Sequence, residues 1–254
     1  MSLLGLDSYT TAALIFLAGS ALLAGLARGF SGFGAALIFI PLASTTIGPK
    51  LAAPLLMIVD LALTFGLIPK AWPKSDKRDV GFMTLGAIVG VPIGTVMLAY
   101  SDPIVIRWML VVIVLPLLLL LMSGWRYHGR PAAIVTVGTG TAAGFLTGIA
   151  QVGGPPVILY WLGSLPSGDL VRANIISYLA ISSCITFASY LAGGLLTPAL
   201  AGLALVTAPA YGLGLLLGSH MFGFASDETF RRVCYALIAA ALVISLPVLD
   251  GIIR

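Results

Sequence analysis

Charged side chains are scarce in this chain of 254 residues, where they make up 9% of the sequence. Soluble domains carry about 25% charged residues, so the composition excludes an ordinary soluble protein. Cysteine is also rare, and Cys184 and Cys234 both fall inside apolar runs. Two cysteines in such positions are typical of packing residues in lipid rather than of a disulfide or a metal pair.

The sequence also lacks the groups of residues that catalyse reactions in enzymes. The sequence has no nucleophile with a partnered base and no paired acids, and GFSGFG lacks the lysine of a phosphate-binding loop. His128 and His220 have no second ligand at metal spacing. No basic stripe with interleaved aromatics accompanies the net charge of +4. We therefore expect no enzyme activity, no cofactor, no metal and no nucleic-acid partner.

Apolar residues dominate instead, at 59% of the chain, with a mean hydropathy of +1.11. Most apolar runs are long enough to cross about 30 Å of hydrocarbon, which predicts an all-α polytopic protein in a lipid bilayer. The start of the chain has no basic segment and carries Asp7, so its first run is interpreted as a retained span. The runs lie near residues 9–27, 35–48, 51–69, 80–100, 104–125, 132–150, 155–165, 170–193, 198–223 and 230–250.

The stretch Gly144 to Trp161, GFLTGIAQVGGPPVILYW, interrupts these runs with a polar residue, two glycines and two prolines. Proline lacks an amide proton and glycine frees the backbone, so the pattern predicts helix, short irregular tip and helix. A shift of about 119 positions lays Gly25, Gly29 and Gly34 on Gly144, Gly148 and Gly153, which makes ARGFSGFGAALIFIPL a second copy of the break. The chain is therefore predicted to contain an internal duplication.

The predicted plan is a first repeat over 1–125, a central cytoplasmic loop over 126–131 and a second repeat over 132–254. Each repeat has a broken helical hairpin followed by three transmembrane helices. Arg28 is set aside as a tip residue. Re-entrant hairpins then give two inverted repeats with nine basic residues on cytoplasmic loops and three, Lys50, Arg107 and Arg254, outside. Hairpins that cross the membrane once give seven basic residues inside and five outside. The positive-inside rule favours the inverted arrangement. The central loop, RYHGRP, is too short for a soluble domain.

In the inverted arrangement both tips meet near the middle of the membrane, and each second arm begins there with the positive end of its helix dipole. Helix N-termini attract anions, and more strongly where water is scarce. Arg28 at the first tip adds a charge and a fork of donors suited to an oxyanion. The predicted substrate-binding residues are Arg28, Gly29, Ser31, Gly32, Phe33, Gly34, Gln151, Val152, Gly153, Gly154, Pro155, Asn174 and Tyr178.

Each side chain in this set also has a purely structural interpretation. Arg28 at a helix end is also suited to extend toward the membrane surface, and Gln151 to hydrogen-bond the other tip. Asn174 and Tyr178 share a helix face with Ser177 and are equally suited to hydrogen bonds between helices. Asp60 lies inside an apolar run, so it is protonated, paired or part of a proton or cation relay.

The two breaks and the repeated later segments resemble the sulfite exporter TauE/SafE family, also described as the toluenesulfonate uptake permeases. The resemblance rests on GFSGFGAALIFIP and GIAQVGGPPVILYW and extends over nearly the whole chain. By matching position, the family's motif glycines are Gly29, Gly32, Gly34, Gly153 and Gly154. Ala35 and Ala36 stand where the family tends to carry glycine.

The resemblance implies secondary transport of sulfite, organosulfonates such as sulfoacetate, or small carboxylates across the bacterial inner membrane. Coupling to protons or sodium and assembly as a homodimer are both compatible with it. A passive anion channel is the alternative function for the same anion site. A membrane-embedded enzyme or assembly partner is disfavoured, because reactive groups are absent and the loops are short.

Overall fold

The computed structural model describes residues 6–31, 34–64, 66, 68–125, 127, 129, 132–164, 167–220 and 227–250. These residues form eleven α-helices and contain no β-strand. All ten apolar runs correspond to helices, so the predicted all-α fold is confirmed. The helices are α1 Thr11–Ser31, α2 Ala35–Thr46, α3 Pro49–Thr64, α4 Ile68–Ala71, α5 Lys77–Tyr100, α6 Pro103–Met122, α7 Ala133–Ala150, α8 Gly154–Ser164, α9 Gly168–Ala192, α10 Ala199–His220 and α11 Asp227–Ser245.

Six of the described helices, α1, α5, α6, α7, α9 and α10, are long and apolar enough to cross a membrane. The number rises to seven if α3 and the segment that follows it, bent by 66°, are taken as one span. The arms after the two breaks are much shorter, since α2 has 12 residues and α8 has 11. At about 1.5 Å per residue neither arm crosses a hydrocarbon layer of about 30 Å.

The chain divides into two compact units, and each is described by itself. Unit 1 contains Met1–Val59, Ser101–Leu118 and Leu195–Arg254, and unit 2 contains Asp60–Tyr100 and Leu119–Gly194. Each unit contains helices from both halves of the sequence. The compact units therefore do not coincide with the predicted repeats. The two-repeat organisation therefore stays a prediction, and its inverted orientation likewise.

Unit 1 is built around a close contact between α1 and α10. A Cβ atom added at Gly25 would lie 2.2 Å from the backbone oxygen of Tyr211, and one added at Gly214 would lie 2.2 Å from that of Leu22. No real side chain fits at such distances, so the two backbones touch directly. In lipid, this type of contact replaces the hydrophobic effect as the source of helix association.

Unit 2 contains the equivalent contact between α5 and α7. A Cβ atom at Gly90 would lie 2.1 Å from the backbone oxygen of Thr141, and one at Gly148 would lie 2.2 Å from that of Val91. The duplication matches α1 with α7 and α10 with α5, so the same glycine-to-backbone contact occurs once in each unit. The glycines spaced four residues apart on these helices thus form packing surfaces, and the recurrence supports the predicted duplication.

A buried ion pair closes one end of unit 1. Arg107 of α6 is almost fully buried, and its guanidinium donates to both carboxylate oxygens of Asp250 and, at 2.9 Å, to the backbone oxygen of Ser245. Arg107 is one of the three basic residues assigned to the outside in the inverted arrangement. It lies near the N-terminal end of α6, within the predicted apolar run 104–125, and fixes α6 to the chain after α11, which explains why a cation is tolerated there.

We expect Gly90→Ala to destabilise the protein by about 1–3 kcal/mol, the usual cost of overpacking. The measurement is the thermal unfolding midpoint of the purified protein in detergent. Gly81→Ala, on the same helix, is the matched control because a Cβ atom there meets nothing within 4 Å. It should leave the midpoint unchanged or raise it, since alanine is the better helix former by up to about 1 kcal/mol. Equal midpoints for both variants would contradict the close contact.

Candidate functional site

The second break interrupts the helical backbone over three residues. Helix α7 ends at Ala150 and α8 begins at Gly154. Gln151 caps α7 in the left-handed conformation, with φ 59° and ψ 17°, and its backbone N–H donates to Thr147 at 2.9 Å. The predicted sequence of helix, irregular tip and helix is therefore confirmed here.

Gln151 occupies a backbone conformation that glycine or asparagine adopts far more readily. It has the only positive φ outside glycine among the described residues. Its side-chain amide donates to the hydroxyl of Tyr190 at 3.2 Å, and that hydroxyl donates to the backbone oxygen of Gly148 at 3.0 Å. Strained residues of this kind concentrate at functional sites, and here a fully buried tyrosine of α9 holds the strained residue in place.

The two glycines of the tip have different environments. A Cβ atom at Gly153 would lie 2.0 Å from Thr147 Oγ1 and 2.2 Å from the backbone oxygen of Ala143, whereas one at Gly154 would meet nothing within 4 Å. Gly153 is thus required for the tip to fold back on α7. Gly154, the first residue of α8, has room for a Cβ atom.

The N-terminus of α8 offers fewer hydrogen-bond donors than an ordinary helix start. Pro155 and Pro156 lie in its first turn and have no backbone N–H. Val152 donates to the backbone oxygen of Leu146 at 3.2 Å. The backbone donors left at the tip are therefore those of the two glycines, and the rest of the attraction for an anion comes from the helix dipole.

A row of buried polar side chains runs along α9 at intervals of four residues. We call it the α9 polar seam, and it consists of Asn174, Tyr178, Ser182, Thr186 and Tyr190. Residues four apart share one helix face. The seam spans about 24 Å, with Tyr190 at the tip end and Asn174 at the other. The structure thus separates Asn174 from the Gln151 contact, although both were predicted to bind substrate.

Asn174 contacts the turn before α5. Its side-chain oxygen accepts a hydrogen bond of 2.7 Å from the backbone N–H of Asp76. Its amide nitrogen and the hydroxyl of the neighbouring Ser177 are buried and have no hydrogen-bond partner within the described part of the chain. An unpartnered buried polar group costs about 1–3 kcal/mol, so a polar partner such as water or an anion would stabilise this face of α9. The ring of Tyr178 packs edge-on against Trp161 of α8.

The first break lies in unit 1. Arg28 is in the last turn of α1 and is half-buried, with Gly29 beside it in the helix. Gly34 precedes α2 in the left-handed conformation, with φ 95°, and α2 is buried along nearly its whole length. Gly34 thus occupies the position that Gly153 occupies before α8, as the duplication predicts. Gly32 and Phe33 lie outside the described residues, as does the side chain of Ser31.

The remaining candidates lie elsewhere. Asp60 is half-buried in α3. The His220 ring contacts the backbone oxygen of Leu216 at 2.8 Å and is exposed. Across the described ranges, no three or more His, Cys, Asp or Glu side chains are grouped so that they could hold a metal ion.

Asp79 was not among the residues predicted from the sequence to be functional. It is the last residue of the polar stretch KAWPKSDKRD, whose composition is typical of a loop. The structure places it in the first turn of α5, 7% exposed. Its carboxylate accepts hydrogen bonds from the indole N–H of Trp161 and, at 3.3 Å, from the hydroxyl of Thr136. The pattern of Asp76 followed three residues later by Asp79 was the available signal, because it is typical of a helix start.

Long apolar helices, direct glycine contacts between them and short buried arms after glycine breaks define a polytopic helical membrane protein. The family described as Sulfite exporter TauE/SafE has a model that matches residues 17–245. The chain therefore belongs to the TauE/SafE family of membrane transporters for sulfite and related anions. Neither a curated protein nor a solved structure matches the chain.

We expect Gly153→Ala to distort the tip and to lower the thermal midpoint, at a cost of about 1–3 kcal/mol, because its Cβ would overlap the α7 backbone. Gly154→Ala is the neighbouring control and should unfold like the unmodified protein. Both midpoints are measured in the same detergent. A midpoint for Gly153→Ala that matches the control would show that the tip does not fold back on α7 in this way.

Proposed function

We propose that this protein is a secondary transporter for small sulfur-containing oxyanions, such as sulfite or organosulfonates. The anion is held at mid-membrane between the two helical tips, and the protein works by alternating access across the bacterial inner membrane. The observation that carries this proposal is the break at Gln151 to Gly153, which precedes a short apolar helix in a chain of the TauE/SafE family. Small carboxylates are a second substrate class for the same chemistry.

The chemistry of the tip supports an anion rather than a cation. The two glycine N–H groups and the positive end of the α8 dipole are hydrogen-bond donors at the tip. Non-helical backbone at membrane depth is stable only beside protein or a water-filled cavity. A tip that offers such donors is suited to a dehydrated oxyanion.

Side chains add to this surface in the proposal. Arg28 supplies a positive charge from the first hairpin, and Gln151 orients the tip while Tyr190 holds its amide. Asn174 and Ser177 place unpartnered polar groups on α9, away from the tip. We assign them to the entry route of the anion rather than to the central position. Tyr178 lies next to them, and Asp60 stays the candidate for ion coupling that the sequence predicted.

The proposal includes the inverted topology, in which the hairpins enter from opposite sides and both termini lie outside. The length of the second arms supports it, because 12 and 11 residues are too few to cross the membrane. A cysteine introduced near residue 2 and labelled from the periplasm tests it. Protection of this cysteine in intact cells would favour hairpins that cross once.

A passive anion channel is the competing function, since the same donors would also line a pore. Uptake into proteoliposomes separates the two. We expect a trans-loaded anion to drive counterflow of labelled sulfite or sulfonate above its equilibrium level, because an alternating-access carrier exchanges one bound anion for another. Labelled anion that only approaches equilibrium, with no response to trans loading, would identify a channel. Protein-free liposomes are the control.

We expect Arg28→Gln to weaken anion binding roughly tenfold or more, because a charge-assisted hydrogen bond contributes about 1.5–3 kcal/mol. Lys50→Gln is the comparison, since Lys50 is a half-buried cation near the start of α3 and outside the predicted site. Affinity is measured by isothermal titration with sulfite, sulfoacetate and taurine, and rate by counterflow. Equal effects of the two substitutions would remove Arg28 from the site.

A further inference from the structure

Unit 2 contains a buried acid that the anion site does not use. Asp79 joins three helices, because its own helix is α5, Thr136 belongs to α7 and Trp161 belongs to α8. Thr136 and Trp161 are fully buried. In the described part of the chain every side-chain partner of this carboxylate is neutral. A carboxylic acid in a membrane-spanning segment with neutral partners calls for an explanation.

The neighbouring cations are engaged elsewhere. The Lys77 ammonium donates to the backbone oxygens of Trp72 and Ser75 and lies 5.0 Å from the centre of the Trp72 ring. The Arg78 guanidinium lies 5.7 Å from the centre of the Phe82 ring. Neither compensates the charge of Asp79. The Asp79 carboxyl group therefore lies at the N-terminal end of α5 among buried, neutral hydrogen-bond partners.

The hydroxyl of Thr136 provides hydrogen bonds for both protonation states. It lies 3.3 Å from Asp79 Oδ1, 3.1 Å from the backbone oxygen of Ala132 and 2.5 Å from the hydroxyl of Tyr160. A hydroxyl has one proton to donate. Beside a carboxylate, Thr136 donates to Asp79. Beside a protonated acid, Thr136 accepts from Asp79 and turns its own proton to Ala132. Tyr160 donates to Thr136 in both cases.

Tyr160 is also part of an aromatic contact near the start of α7. The ring of Tyr160 packs against that of Tyr127, with 5.1 Å between the centres, and Tyr127 is half-buried in the loop before α7. Among the described residues, Asp76 on the turn before α5 also acts electrostatically on Asp79, and Tyr178 of α9 packs against Trp161. Helix α7 contains no titratable side chain.

We propose that Asp79 is a protonation site that couples proton movement to the anion cycle. A proton from water forms the O–H bond on Asp79 and is released again to water, with no other reactant. The inference rests on the proposed transport function. The link to the anion is α8, because Trp161 donates to Asp79 and lies about 9 Å along the helix from Pro155 at the tip. The protonation state thus changes how firmly α5 holds the helix that presents the anion site.

The test compares Asp79→Asn with Asp76→Asn in proteoliposomes. Asparagine at 79 still accepts from Trp161 but cannot titrate. We expect uptake driven by a pH gradient to fall about tenfold, within the usual range for coupling between two sites, while anion counterflow at equal pH persists. Asp76 is the matched control, since it is an exposed carboxylate three residues away that caps α5, and asparagine caps helices equally well. Asp76→Asn should keep the pH response but shift the pH at which it occurs, because the Asp76 carboxylate acts electrostatically on Asp79.

Several outcomes would overturn the inference. One is anion exchange by the wild-type protein that does not respond to a pH gradient. Another is an unchanged pH response in Asp79→Asn. The third is loss of the pH response in Asp60→Asn alone. Infrared difference spectroscopy provides a readout independent of transport. A pH-dependent carboxylic acid band should be present in the wild type and in Asp76→Asn and absent in Asp79→Asn. If that band is found but no anion is exchanged by the wild type, the transport proposal fails and the protonation site stands.

If Asp79→Asn does not fold, Thr136→Val and Tyr160→Phe replace it in the same assays. Thr136→Val removes the rotating hydroxyl and should shift the pH at which the infrared band changes. Tyr160→Phe keeps the ring but removes the hydroxyl and should do the same to a smaller extent. A band that stays at the wild-type pH in both variants would contradict the role of the hydroxyl pair.

Discussion

Backbone polar groups that have no partner inside lipid are too costly to keep, and the structure of this protein follows from that constraint. Wherever the helical backbone stops at membrane depth, some other part of the protein must replace its hydrogen bonds. At the second break this is done by Gln151, which caps α7 in a strained conformation, and by Tyr190, which bonds both Gln151 and Gly148. The tip is therefore rigid and still presents donors.

Direct contact between helix backbones provides the frame for such a tip. Gly90 touches the backbone of α7, and Gly25 touches that of α10, so each unit is held by an equivalent helix pair. Each pair combines a helix from the first half of the chain with one from the second. If the halves are repeats, each helix pair contains one helix from each repeat.

Buried polar groups in unit 2 are arranged along α9 and at the start of α5. The two ends of the α9 polar seam contact different elements, because Tyr190 bonds Gln151 at the tip and Asn174 bonds the turn before α5. Asp79 at the start of α5 contacts α8 through Trp161. Helices α8 and α9 therefore both form polar contacts with the start of α5 or the turn before it. This arrangement is suited to a protein in which a proton on one side affects an anion held deeper in the membrane.

Much of this could be predicted from the sequence because it depends on local properties. Apolar runs fix helices by their length, and the glycines and prolines near Gln151 end a helix wherever they occur, so the helices and the second break were predicted correctly. The burial of Asp79 depended on Thr136 and Trp161, which are 57 and 82 residues away, and the Tyr190 contact with Gln151 spans 39 residues. The sequence by itself determined where the helices begin and break. Only the tertiary structure decided which polar side chains are buried together, because that depends on contacts between distant segments.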